Sequence, residues 1–424
     1  MNAIERHTPT HILRFHKCRV TSLIIGSDYS DTNIPILISG DEKGVIAKWN
    51  LITRRPIETF ELPAAVQIVD IHVLDEKTFI LSKDHSLRLY TGHNITFEMK
   101  VNTLNFSNFE IFHSDNSDLY TLVCCNTSVS ENFDIYTFED GKMNSLQRIF
   151  NSVSMISFIE QHSLLGNDFK KLGILMKIVR DKKTKTIVCG FESGVVIGLK
   201  LHVSTFRSFE KSGYIDVQFI SKFHYPNPIL DISVDTEKGI VITSSTESQI
   251  ETITLSQGDI SSEDIDSDTY FTDDLQRLVM SKDIWCKGCN SSLLEVQYGN
   301  IGHVDITPNS IIYSTWSGKT VVLDRATSSQ KHVFWSSKSH VAVSESSQGN
   351  IDPNRNKIAD RKGPLEKIGS LVTFDGTHSL STDVVAQQGS MLTKSGHSRR
   401  LGQFLQQPWC IVGYESGAIA MYSV

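Results

Sequence analysis

The chain has 424 residues, 39% hydrophobic and 21% charged, with a formal net charge of −7 and a pI near 6.1. Such a length is ample for a large buried core, and the mild acidity argues against a dedicated binder of nucleic acid or anionic membranes, which would carry a basic stripe. No run approaches the roughly 18 apolar residues of a membrane span, and Met1 to His7 are polar where a secretion signal needs an apolar core, so a cytosolic or nuclear protein is expected.

In chain order, an extended segment His11-Ile12-Leu13-Arg14-Phe15 precedes an inner strand at Val20–Leu23 and a strand–turn–strand unit at Ser39–Leu51. In this unit Val45, Ala47, Trp49 and Leu51 alternate after Glu42-Lys43-Gly44, the period-two pattern of a strand that buries one face. A second unit, Phe79–Tyr90, follows an inner strand at Ile68–Ile71 but lacks the turn glycine. The third, Leu119–Cys124 with Phe133–Phe138, is the loosest. The fourth, Cys189–Leu201, repeats the first closely: Glu192-Ser193-Gly194, then Val195, Ile197, Leu199 and Leu201.

A fifth unit pairs Ile240–Ser244 with Ile250–Leu255 behind an inner strand at Ile229–Val234, and a sixth spans Ile311–Asp324. Residues 257–274 form an acidic insertion and 338–407 a polar, low-complexity one within the last blade region; both read as mobile, because so little apolar content cannot offset the entropy of ordering. Ile368–Phe374, inside the second insertion, is apolar enough to be a strand of the last unit. The chain ends on Cys410–Val424: strand, Glu415-Ser416-Gly417 turn and strand. Convincing helical periodicity is absent throughout.

After each internal copy of the unit comes one more strand, but after the terminal copy no chain is left. The missing strand is available at His11–Phe15, and a ring of repeated four-stranded units closed by its own two ends is a β-propeller. At roughly 40–45 residues per unit plus insertions, seven blades are expected, in one domain covering 1–424. Deleting residues 1–15 should therefore destabilise the ring, whereas deleting 345–400 should leave stability nearly unchanged.

The spacing resembles WD40 repeats. Trp49-Asn50 stands where that family has Trp-Asp, Gly302-His303 resembles its Gly-His pair, and His16 and His224 can occupy the same histidine position. The resemblance implies a buried network of histidine, turn aspartate, strand hydroxyl and tryptophan; the matching turn positions hold Lys43 and Ser193, so the full network is not expected. Over about residues 8–336 and 408–424 the chain resembles the fungal ASTRA-associated protein 1 family, through Thr10-His11-Ile12-Leu13-Arg14-Phe15-His16, Ser39–Gly44 with Trp49-Asn50-Leu51, and Val412–Gly417. That resemblance implies a nuclear WD40 scaffold subunit of the ASTRA complex, linked to chromatin regulation and to maturation of phosphatidylinositol-3-kinase-related kinases. Its partners would be protein subunits of that assembly, including kinase-related and chaperone-like maturation factors, with the chain a monomer in a hetero-complex and no direct contact to nucleic acid or membrane.

For chemistry, the sharpest feature is Cys286-Lys287-Gly288-Cys289. A CxxC turn can place two thiolates on zinc, but a structural site needs four ligands, and no partner pair stands at a recognised spacing. His16, His224 and His303 are expected to make structural hydrogen bonds beneath loops. Phosphate-binding loops, nucleophile elbows and HExxH helices are missing from the sequence. Asp273-Asp274 and the basic run Lys394–Arg400 read as solvated charge. No catalytic, cofactor or metal residue is assigned, and a non-catalytic scaffold is the expectation. The alternative, a propeller holding a short peptide or phosphopeptide in its central channel, would require basic and aromatic side chains converging on one channel mouth. An enzyme built on Cys286 and Cys289 is the third.

Overall fold

The computed structural model describes residues 8–26, 34–75, 77–104, 106–113, 119–139, 142–161, 171–203, 213–255, 279–280, 284–286, 290–336, 364–375 and 396–424. The repeated pattern becomes seven antiparallel sheets of a β-propeller. An outer strand, β1 (His11–Arg14), comes first. Blade 1 is β2 (Val20–Gly26), β3 (Ile36–Asp41), β4 (Val45–Asn50) and β5 (Arg55–Glu61). Blade 2 is β6 (Ile68–Leu74), β7 (Lys77–Ser82), β8 (Ser86–Thr91) and β9 (Asn94–Lys100), and blade 3 is β10 (Glu110–His113), β11 (Leu119–Cys125), β12 (Phe133–Glu139) and β13 (Lys142–Val153). After the helix α1 (Met155–Gln161), blade 4 comprises β14 (Leu175–Arg180), β15 (Thr186–Phe191), β16 (Val196–Val203) and β17 (Gly213–Ser221).

Blade 5 is β18 (Asp231–Asp235), β19 (Ile240–Ser244) and β20 (Gln249–Thr254), completed by β23 (Asn290–Glu295). Between its last two strands the chain turns back to blade 4, where β22 (Ile284–Cys286) pairs with β17 and β21 (Val279–Met280) pairs with β22, widening that sheet to six strands. Blade 6 holds β24 (Ile301–Ile306), β25 (Ser310–Thr315), β26 (Lys319–Asp324) and β27 (Gln330–Trp335). Blade 7 holds β28 (Ile368–Phe374), β29 (Trp409–Tyr414) and β30 (Ala418–Ser423), and β1 is its fourth strand, pairing His11 with Met421 and Arg14 with Ala418. The closure expected from the two ends of the sequence is the one observed.

Each blade is sandwiched between two others, so the middle strands bury both faces: in β4, Ile46 is as inaccessible as Ala47 and Trp49. The apolar alternation therefore marks only one of two buried faces. A separate hydrophobic cluster fills each of the seven blade–blade interfaces. The one at the seam joins Leu13 of β1, Trp409, Ile411 and Met421 of blade 7 to Val20, Leu37 and Trp49 of blade 1. The turn glycines have positive φ, as their sequence position implied, and they also permit close approach. A Cβ on Gly417 (φ +86°) would stand 2.3 Å from the carbonyl oxygen of His16, in the loop that enters the next blade.

Within the long polar insertion the apolar run Ile368–Phe374 is β28, the inner strand of blade 7. A ten-residue helix, α2 (Gly396–Leu405), packs Leu401, Phe404 and Leu405 into the seam cluster, and Trp409 Nε1 donates to the Phe404 carbonyl at 2.9 Å. Deleting 345–400 would therefore remove an inner strand, and the expectation that stability would be unchanged does not hold. The acidic segment 257–274 lies outside the described residues.

Candidate functional site

The antiparallel order within blades puts the loops entering the inner strands, and the turns between second and third strands, on one face of the ring. Blade 1 uses that face for a buried polar chain. His16 Nδ1 lies 2.9 Å from Asp41 Oδ2, His16 Nε2 lies 2.7 Å from Ser39 Oγ, and Trp49 Nε1 donates to Ser39 Oγ at 2.8 Å. The histidine–aspartate–hydroxyl–tryptophan network is thus complete, contrary to the expectation based on Lys43. Its aspartate is Asp41, the last residue of β3, whose other oxygen accepts the Lys43 and Val45 backbone N–H groups and so closes the turn. Burial acts to raise the Asp41 pKa, but His16 and these two amides outweigh it and hold the carboxyl below its ordinary value.

His224 occupies the same place ahead of blade 5, with Nε2 2.9 Å from Thr243 Oγ1. His303 does not. Gly302-His303 lies within the inner strand β24, so the dipeptide that resembles the family's Gly-His pair is not the loop histidine. Cys286 ends β22, whereas Cys289, Asp273, Asp274, Lys394 and Ser395 lie outside the described residues. Arg399 and Arg400 are exposed on α2. Cys18, Cys124, Cys125, Cys189 and Cys410 are buried free thiols, and burial, with a contribution from Glu110, pushes Cys189 up to about 12. That is the signature of packing, not of a nucleophile. Among the described residues no three histidine, cysteine or carboxylate side chains gather as metal ligands.

The seven inner strands, β2, β6, β10, β14, β18, β24 and β28, each touch the next around the axis. In five of them the register slips just after the first residue, as between Ile301 and His303 or Ile368 and Ser370. This β-bulge re-aims the following side chains, a common role of bulges near functional sites. Lys177 Nζ lies 3.1 Å from Asp231 Oδ1, whose other oxygen accepts the Val304 N–H at 3.0 Å. His72 Nε2 lies 3.1 Å from Asp70 Oδ2. Deeper along the strands, Asp305 accepts from Ser233 Oγ at 2.7 Å and from both the N–H and hydroxyl of Thr373 at 2.8 Å, tying blades 5, 6 and 7 together.

These charges share one environment. Burial pushes Glu110 and Asp305 up. It would push Lys177 and His72 down, but Asp231, Asp70 and Glu110 reverse that for Lys177, and Asp70 with Glu110 reverse it for His72. His303 goes down, by burial first and then by the positive charges of Lys177 and Arg19, against Asp231. At the mouth on the loop face, Arg19 is exposed beside Gly369, where a Cβ would stand 2.2 Å from the Val20 carbonyl oxygen and 3.0 Å from Arg19 Cγ and Nε. The Trp316 indole lies across Gly302 in the same way, 3.0 Å from such a Cβ at Cδ1, and is 54% exposed.

Apolar exposure follows the same asymmetry. Among the described residues the exposed large hydrophobics are Ile12, Ile57, Ile95 and Leu293 on outer strands, and Phe15, Leu104, Phe106, Val129, Tyr225 and Trp316 on the loop face. None stands on the opposite face. Leu104 and Phe106 are the most exposed; the Lys83 ammonium sits 5.2 Å from the Phe106 ring, and Asn102 Nδ2 donates to Ser130 Oγ, bringing Val129 beside them.

Residues 9–422 match the family model for ASTRA-associated protein 1. The chain belongs to this family. It is 33% identical to ASTRA-associated protein 1 of Zygosaccharomyces rouxii over 430 residues, covering 100% of both chains. It is 32% identical to that of Vanderwaltozyma polyspora over 470 residues, with 98% of each covered, and 29% identical to that of Saccharomyces cerevisiae over 447 residues, with 97% and 96% covered. For a member of the ASTRA-associated protein 1 family, the propeller points to an interaction subunit of a protein complex. A rigid ring fixes where its loops stand, so docking orders little of the propeller itself. Sequence reasoning missed Arg19, Lys177, Asp231 and Trp316, since they come from different blades and meet only through the ring. The available signal was Gly302 and Gly369, two glycines in otherwise apolar strands, which mark bulges or close approach.

Proposed function

We propose that the chain is a non-catalytic WD40-type scaffold subunit of the ASTRA assembly in the nucleus. It acts in chromatin regulation and in the maturation of phosphatidylinositol-3-kinase-related kinases by holding protein partners on its loop face. The observation that carries this reading is the concentration of exposed apolar side chains, Leu104 and Phe106 foremost, on that face and, among the described residues, not on the opposite one. Solvent-facing aromatic and aliphatic groups on a rigid frame are what a protein interface buries. The membership of relatives in an assembly, stated by their name, gives the kind of partner.

The test is affinity purification of the tagged, full-length chain from its native cells, with the recovered proteins quantified by mass spectrometry. Kinase-maturation and chromatin-assembly subunits should be recovered in near-stoichiometric amounts. They should be lost from a Leu104→Asp/Phe106→Asp variant and kept by an outer-strand Ile57→Asp control. A wild-type chain recovered alone, or one excluded from nuclei, would sink the reading.

A further inference from the structure

We propose that the seam between blades 7 and 1, at its end opposite the loop face, is a docking surface for an acidic, extended segment of a protein partner, gripped by Arg54, Arg55, Arg399 and Arg400. Two elements build it. The turn between β4 and β5 ends on Arg54, and α2 carries Arg399 and Arg400 just before Leu401. Leu51 and Ile52 of that turn share the seam cluster with Leu401, Phe404 and Leu405, so one hydrophobic seat holds both elements side by side. All four arginines are exposed, and among the described residues their guanidinium groups have no ion pair and no hydrogen-bond acceptor.

Blade 6 makes the same turn with its charges balanced. There Asp324 Oδ1 accepts the Ala326 and Thr327 amides, and Ser328, at φ +57°, returns its N–H to the Asp324 carbonyl. In blade 1 Asn50 Oδ1 accepts the Ile52 and Thr53 amides, and Arg54, at φ +60°, returns its N–H to the Asn50 carbonyl. Asparagine keeps the cap and drops the charge. Asp324 meets Lys331 at 2.9 Å and Arg325 meets Asp235, whereas Arg54 and Arg55 meet no acid among the described residues. Nor does α2 call for its arginines: Arg399 falls in a first turn without an acidic residue, where a cation opposes the helix dipole. Partial burial and then the charge of Arg400 lower the Arg54 pKa. Burial and then Arg54 lower that of His11, whose ring stacks on Trp409 at 5.8 Å.

The carboxylates at this end of blades 7 and 1 do not relieve that crowding. Glu58 is held by Lys48 at 2.7 Å and by His93 at 3.5 Å, and neither Asp375 nor the carboxylate of Val424 acts on Arg54. Asp28 and Asp31, between β2 and β3, lie outside the described residues. Arginine forks match carboxylates two bonds at a time. On this face no large hydrophobic among the described residues is exposed to enter a bilayer or stack on a base. A nucleic-acid duplex carries one charge per about 1.7 Å of its axis, and would run off four arginines onto a chain of net charge −7. A short acidic segment ends where the patch ends. The surface lies opposite the loop face, so it stands or falls apart from the partners held there.

The probe is fluorescein-labelled decaglutamate, titrated by anisotropy against the full-length chain at low salt. It should bind, and be released as salt rises. Arg54→Glu combined with Arg400→Glu should weaken it about tenfold or more, the worth of lost charge-assisted hydrogen bonds. Asn50→Asp keeps the turn cap, adds the charge that Asp324 supplies in blade 6, and should weaken binding several-fold. Lys182→Glu combined with Lys183→Glu, exposed on the same face in blade 4, should leave it unchanged. These arginines and lysines are exposed, so both charge-reversed variants should melt with the wild type. A DNA duplex of about 20 base pairs is the competing polyanion and should bind less tightly. No binding of decaglutamate, an equal loss in the lysine variant, or a duplex bound more tightly through the same arginines would overturn the proposal, the last by assigning the surface to nucleic acid.

Discussion

Blades 1 and 5 carry the same histidine and differ in everything around it. In blade 1 the chain of polar groups is closed: Trp49 donates to Ser39, whose hydroxyl meets His16 Nε2 and the Ala47 carbonyl, and His16 Nδ1–H donates to Asp41. In blade 5 the register puts Thr243 in the place of Ser39, Ile253 in that of Trp49 and Ser245 in that of Asp41. Thr243 turns instead to Glu251, which also accepts from Ser221, and His224 Nδ1 is buried without a partner. Blade 1 stands at the seam, where β1 must return from far along the chain to close the ring. Blade 5 sits inside the ring, joined along the chain to blades 4 and 6, although the segment between its last two strands detours to blade 4. The complete network occurs at the joint where chain connectivity gives no help.

The largest way to break this contrast is to remove the joint itself. Deleting residues 8–14 exposes the β30 edge and withdraws Leu13 from the seam cluster. The loss should be about 5 kcal/mol or more in urea unfolding, from one buried leucine and a row of strand hydrogen bonds. Melting like the full chain would mean the seam is not needed for stability. Next comes Asp41→Ala, which strands His16 Nδ1 and two turn amides in a buried site and should cost about 3 kcal/mol. A cost no greater than that of an exposed turn substitution would show that the network adds nothing at the seam.

How much of this was legible follows from what each residue answers to. The turn glycines Gly44, Gly194 and Gly417 answer to local backbone geometry, and they were found in the sequence. Blade 3 was hard to see because its turn uses a side chain instead: Asn126 Oδ1 accepts the Ser128 and Val129 amides, with no glycine. Asp41 was overlooked because it sits at the end of a strand, not beside the turn glycine. His303 shares two letters with the family's Gly-His pair, but the apolar alternation continues through Val304 and Ile306, marking a strand interior. α2 buries Leu401, Phe404 and Leu405 at helical spacing, too short a pattern to stand out from polar surroundings. The channel mouth draws one or two residues from each of several blades, and no local pattern announces a site assembled by ring closure.

The contrast should also appear as a pH dependence. Burial lowers the His224 pKa to about 4 in the folded chain, against about 6.5 when unfolded. Above pH 6.5 the imidazole is neutral in both states and the stability is fully present. As pH falls, the unfolded chain takes the proton first, so stability is lost progressively between about 6.5 and 4, by up to about 3 kcal/mol in all. Asp41, held below its ordinary value, adds its own loss only as pH falls further, through its folded pKa. His224→Asn should flatten the upper window and leave the lower one, in melts scanned from pH 7 to 3. A slope between pH 6.5 and 4 that survives the substitution would assign it to other groups, His303 among them.

The smallest effect is the most discriminating, because it asks whether blade 5 can be given what blade 1 has. Ser245→Asp puts a carboxylate at the register position of Asp41, within the turn that His224 faces. If Nδ1–H finds that acceptor, the ring turns to the tautomer used by His16 and Thr243 donates to Nε2. Stability should rise by about 1 kcal/mol, the net worth of a satisfied buried hydrogen bond. The same carboxylate favours the imidazolium, so the folded pKa should climb and the loss between pH 6.5 and 4 should shrink. A gain in stability with the old pH slope would mean that the new carboxylate helps only the turn amides, as Asp41 does with Lys43 and Val45, and leaves the histidine alone. A loss would mean that Glu251 already sets the charge this site can hold, and that blade 5 has settled on a different network instead of an incomplete copy of blade 1.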